Sequence, residues 1–123
     1  MDNNLYFFRS KARISKKTLS KLLNTSVYTY MGYENNRLII PTEIKILYCK
    51  LMDIPINDLF CNIESISNST IKKMSFLSEL DEQAKERKLI FNLTGEENKL
   101  VTYKSINSIK QNIYQKIKDK EVP

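Results

Sequence analysis

Apolar side chains recur along this chain at three- and four-residue spacings, the period that gathers them on one face of an α-helix. Leu5, Phe8 and Ala12 form the first such stripe, with Asn3 placed to cap it. Ser15 precedes a second helix over 16–23, whose Leu19, Leu22 and Leu23 share a face. Ser26 opens a third that runs to about Asn35. Pro41 ends the loop that follows, and Thr42 is placed to cap a fourth helix carrying Ile44, Leu47, Tyr48 and Leu51. "DIPINDLF" predicts a turn and a short fifth helix through Leu59 and Phe60.

The polar stretch "CNIESISNST" then breaks the pattern and predicts a linker over 62–69. Beyond it, Thr70 is expected to open one helix reaching about Ile90, with Ile71, Met74, Leu77, Leu80 and Ala84 inward. Thr94 and Glu97 have capping-box spacing, as do Ser108 and Gln111 beside a break expected at "SINS". Ile109, Ile113 and Ile117 mark a last helix. Residues 88–103 fit a hairpin as well, "KLIFNL" and "LVTYKS" around "TGEENK", and both readings stay open. The sum is an all-α fold of 123 residues, divided as 1–61, a linker 62–69 and a helical region 70–123.

Charge changes the picture. The chain carries a net +6. Arg9, Lys11, Arg13, Lys16, Lys17 and Lys21 form a basic run with no acidic residue among them. A contiguous excess of this kind suits a polyanion. Composition excludes much else. Histidine is absent, which removes the usual general base and the commonest zinc ligand. Cys49 and Cys61 match no metal or redox spacing, and two isolated glycines cannot build a phosphate loop. No enzyme, metal or cofactor is expected. Neither a membrane span nor a signal peptide is evident, so a soluble cytoplasmic protein is expected.

The second and third helices differ in character. "SKKTLSKLL" is basic, whereas "SVYTYMGYE" carries hydroxyls, a glycine and a single charge. DNA recognition divides labour in this way. A bracing helix needs cations for phosphates, and a reading helix needs donors, acceptors and methyl contacts for base edges.

Residues 5–60 resemble the Cro/C1-type helix-turn-helix family of DNA-binding regulators. The likeness is carried, in order, by Arg9, Ser15, Leu19 with Ser20, Asn24 in the turn, Glu34 with Asn36, and Pro41. The closing "IPINDLF" is similar to that family's last hydrophobic-x-x-Leu helix. The resemblance implies a five-helix, lambda-repressor-like domain over 1–61 whose third helix enters the major groove of double-stranded DNA. Val27 and Tyr28 are then the candidates for base edges, and Ser26 and Thr29 for phosphates or the cap. Gly32 falls where similar proteins carry a base-reading side chain, and its bareness would permit close backbone approach. Lys16, Lys17, Asn36 and Arg37 are the phosphate candidates, and Tyr30 falls at a core position. Arg9 and Glu34 would form a partly buried ion pair.

Two or three amphipathic helices beyond such a domain need a surface to cover. A second copy of the chain would supply one, making a homodimer through residues 70–123 that places two reading helices about 34 Å apart on an inverted repeat. A repressor follows from that arrangement. The alternative is an antitoxin-type protein whose C-terminal helices clasp a toxin, an antirepressor or another protein. A third arrangement folds these helices back onto their own N-terminal domain.

Overall fold

The computed structural model describes residues 2–96 and 103–121. It is all-α: α1 Leu5–Ala12, α2 Lys16–Leu22, α3 Val27–Glu34, α4 Thr42–Met52, α5 Asn68–Ser78, α6 Glu82–Thr94 and α7 Tyr103–Glu121. Two 3-10 turns, Ile56–Leu59 and Ile63–Ser65, lie between α4 and α5. Among the described residues there is no strand, and no helix is long and apolar enough to cross a membrane.

The predicted stripes of the first four helices face inward. Leu5, Phe8, Ala12, Leu19, Leu22, Leu23, Ile44, Leu47, Tyr48 and Leu51 are all buried. Local caps fix where α2 and α3 begin. Ser15 Oγ accepts from Thr18 N–H at 3.0 Å, and Ser26 Oγ from Thr29 N–H at 3.0 Å, each satisfying an amide that the helix leaves unpaired. Between these helices Asn24 takes a left-handed backbone, φ 54, a conformation that asparagine accepts more readily than most residues. α4 starts differently from expectation: Pro41 holds the cap position, Thr42 is the first helical residue, and no side chain caps the end. At α1 the cap position falls on Asn4, while Asn3 Oδ1 takes the Leu5 N–H at 3.0 Å.

Downstream of Met52 the structure departs further from the pattern. The expected fifth helix is a 3-10 turn, with Leu59 fully buried and its carbonyl accepting from Asn4 N–H at 2.7 Å. The predicted linker contains the second 3-10 turn and buries Ile66. The single helix expected from Thr70 to Ile90 is two. Asp81 caps α6 by accepting from Ala84 N–H at 2.7 Å, and the chain turns over Glu79 and Leu80. Spacing alone hides this break, because Leu80 and Ala84 stay in phase with Leu77. Residues 88–93 lie in α6, so the first strand of the hairpin alternative does not form. Thr94 ends that helix, with Gly95 left-handed behind it at φ 73; Glu97 lies outside the described residues. The break at "SINS" is absent as well. Ser108 Oγ bonds back to Lys104 O at 3.1 Å, a local bond that lets serine sit inside a helix.

α5 packs on α1, α6 and α7 pack on α4, and α1 and α2 each pack on α3. One hydrophobic cluster runs through both halves, from Leu5 to Ile113. The apolar stripes of the C-terminal helices, including Met74, Leu77, Leu89, Leu93, Ile106 and Ile113, are therefore buried within the chain. That is the fold-back arrangement. The need for an outside surface, from which a dimer through 70–123 was argued, is met internally.

Candidate nucleic-acid interface

α3 is anchored on one side and open on the other. Tyr30 is fully buried, as its core position implied, and Tyr33 nearly so. At the helix end Arg9 meets Glu34 in a two-bond pair, Nε to Oε2 and Nη2 to Oε1, both 2.9 Å. The two side chains are 12% and 9% exposed. Arg9 Nη1 also donates to Ile14 O at 3.2 Å. Burial pushes Glu34 toward the neutral form, but the bonds and charge of Arg9 together with Tyr30 and the Lys16 charge outweigh it and hold the carboxyl below its ordinary value. The bond to Glu34 in turn raises Arg9 further. The Tyr30 hydroxyl has no hydrogen-bond partner of good geometry. Burial first, and the nearby Tyr48 and Glu34, drive its pKa upward.

The open side of α3 presents Val27, Tyr28 and Met31, at 39%, 69% and 38% exposure. Cations border this ridge on both sides. On one side Lys16 lies with Met31, Glu34, Asn35 and Tyr6 around a shallow cleft of about 350 Å³. On the other, the Arg37 guanidinium stacks on the Tyr28 ring at 4.3 Å and Nη2 donates to Tyr28 O at 3.3 Å. Lys17 and Ser26 are exposed, and Thr29 is half-buried, its Oγ1 accepting from Ser26 Oγ at 2.9 Å. Asn36 is left-handed at φ 64 and tied to the N-terminal segment. Its Oδ1 accepts from Asn3 at 3.0 Å and its Nδ2 donates to Asp2 at 3.3 Å, so it is less free to take a phosphate than its exposure suggests.

Gly32 corrects the sequence reading. It is buried, not bare to the outside. A Cβ there would meet Leu38 Cδ1 at 2.6 Å and Cγ at 2.8 Å, with Arg37 Nη2 at 3.1 Å. The glycine makes room for the chain's own Leu38, whose N–H bonds to Gly32 O at 3.0 Å; no space remains there for close approach of a nucleic-acid backbone.

Five further contacts leave no signal in the spacing. Glu82, from the start of α6, lies against the N-terminal turn of α2. Thr18 Oγ1 donates to its carboxylate at 2.5 Å and Ser15 Oγ lies 3.0 Å from the same oxygen. The bond from Thr18 leads in holding that carboxyl below its ordinary value. Next to it Lys21 pairs with Glu86 at 2.8 Å. Lys85, 5% exposed, places its amine 2.5 Å from Arg13 O. At the far end of α2, Lys110 Nζ donates to Leu23 O at 3.4 Å, and the Asn24 side chain bonds Asn107 of α7. These partners lie more than 60 residues away, and no periodicity within α2 points to them.

Among the described residues no group of three or more His, Cys, Asp or Glu side chains could hold a metal. The Cys49 thiol is buried, and burial pushes it up to about 12. No protein-family model, curated protein or solved structure matches this chain.

Proposed function

We propose that this chain is a sequence-specific regulator that binds double-stranded DNA by laying α3 in the major groove, with repression as the outcome. One observation carries the reading: the exposed Val27–Tyr28–Met31 ridge with Lys16 on one flank and Arg37 on the other. A helix fills the major groove, about 12 Å wide, and the phosphates that border it call for cations at both edges of the helix. Val27 and Met31 suit thymine methyls; the Tyr28 hydroxyl suits a base edge or a phosphate. The resemblance to Cro/C1-type helix-turn-helix proteins agrees with this placement, and with the Arg9–Glu34 pair that sets the angle of α3 against α1.

Binding an inverted repeat requires two copies. Since the apolar stripes of α5–α7 are taken up within their own chain, a dimer on DNA would use faces that the fold leaves exposed.

Selection of bound fragments from a random pool of double-stranded DNA tests the proposal directly. A consensus sequence is the expected result, with two inverted half-sites if two copies bind. Tyr28→Ala should then lower the ratio of consensus to random binding by roughly ten- to a hundredfold, the usual value of one good base contact. Recovery of no consensus at low salt, or an unchanged ratio in Tyr28→Ala, would contradict it.

A further inference from the structure

On the α5–α6 side of the molecule, where the C-terminus of α4 meets the two helices, lies an open cleft of about 430 Å³. Met52 and Leu77 lie buried beneath it, and the Phe76 ring, 54% exposed, forms part of the wall. Its charged rim is Asp53 with Lys72, Lys73 and Lys88, a net positive set. Lys72 and Lys88 both line it. Lys73 is neutralised locally, with Nζ 3.1 Å from Asp53 Oδ2 and 3.3 Å from Asp53 O. Lys72 has no carboxylate partner among the described residues, and the Lys88 ammonium rests over the Phe91 ring at 5.0 Å. Two cations with no ion pair among the described residues thus share the cleft with the exposed Phe76 ring.

We infer that this cleft is a binding site for a small organic anion, a carboxylate on an apolar body, with the acid between Lys72 and Lys88 and the body against the Phe76 ring. Charge complementarity selects the anion, because a cation or a neutral molecule leaves both ammoniums without a partner. Dimensions select a small molecule. The volume lies within the range of ordinary ligand pockets. The α5 wall from Ser69 to Phe76 is only about 10 Å long at 1.5 Å per residue, short for a docked helix. The site is also physically tied to the rest of the fold. Asn92, on the α6 wall, donates to Leu51 O at 2.8 Å, so α6 and the end of α4 are fixed together beneath the ligand.

Titration of the full chain with 4-phenylbutyrate, followed by amide chemical shifts, tests this without any DNA. Its outcome is therefore separate from that of the DNA-binding proposal. The expected result is saturable binding at one site per chain, with shifts concentrated on α5 and α6. Binding should be about tenfold tighter than that of 4-phenylbutanol, which has the same body without the charge. The double variant Lys72→Gln, Lys88→Gln should bind the acid no better than the alcohol, and Phe76→Ala should weaken both. These three side chains are half-buried or exposed, so the variants should keep the parent melting temperature. No saturable binding of phenylbutyrate, equal affinity for acid and alcohol, or an unchanged affinity in the double variant would overturn the assignment. So would an acidic helical peptide that binds this cleft where phenylbutyrate does not, which would make it a protein-docking groove.

Discussion

At the scale of single residues, the Arg9–Glu34 pair is the most consequential polar contact in the N-terminal half. Both side chains are nearly enclosed, so loss of one strands the other. Arg9→Ala should lower stability by about 3–5 kcal/mol, whereas Lys11→Ala, exposed and beside the Phe7 ring, should stay within about 0.5 kcal/mol. Equal melts for the two variants would show that the pair contributes nothing. The pair also sets a pH dependence. Glu34 is held below its ordinary 4.5, so its stabilisation is fully present above that value and is lost as pH falls through the lower folded value. Urea titrations carried downward from neutral pH should show a flatter acid limb in Glu34→Gln than in the parent. Gly32 gives a second test. Gly32→Ala gains helix propensity of about 1 kcal/mol but drives its Cβ into Leu38. It should therefore destabilise the parent and become neutral or stabilising in a Leu38→Ala background, a sign change that a double-mutant cycle measures. The pair was legible through the order of motif residues, and Tyr30 through its place in that order. The cover over Gly32 was not, because the residue that fills it lies in an irregular loop with no period to betray it.

At the scale of helices, the stripes of α1 to α4 and the Ser15 and Ser26 caps are readable because each depends on neighbours within a few residues, whereas the caps expected at Asn3 and Thr42 fall instead at Asn4 and Pro41. The pattern shows α5 and α6 as one helix because the three-residue turn between them preserves the apolar phase. The contact of Glu82 with α2 is tertiary and left no trace in the sequence around Ser15. It bears on the proposed function. A carboxylate beside Ser15 and Thr18 lies where the bracing helix would meet a phosphate, and it repels one. Glu82→Gln should therefore raise DNA affinity by roughly fivefold at low salt, on the order of 1 kcal/mol for one like charge near the surface. Lys16→Ala should act in the opposite sense on every sequence and reduce the salt slope by about one. Gel shifts over a salt series measure both; a Glu82→Gln protein that binds no tighter would mean α2 does not approach the phosphates.

At the scale of the whole molecule, the division expected between residues 61 and 70 does not correspond to a gap in the packing. α5 covers α1, and α6 and α7 cover α4. Amphipathic helices look the same in a sequence whether their partner is a second chain or their own, which is why the destination of these stripes could not be read in advance. A chain ending at residue 61 would expose the faces that these helices cover, where each large apolar side chain is worth about 1.5–3 kcal/mol. It should show no cooperative thermal transition, while the full chain melts in one step; calorimetry on both distinguishes this from an N-terminal unit that folds alone.

The enclosed amine of Lys85 gives this architecture a built-in chemical reporter. That amine lies 2.5 Å from Arg13 O at the C-cap of α1, where a cation is favoured, and a reagent that acylates amines reaches it freely only when α6 moves away from that carbonyl. Mapping which lysines become tagged over time, by peptide mass, would then follow the undocking of one helix in the intact chain, with no dye or engineered cysteine.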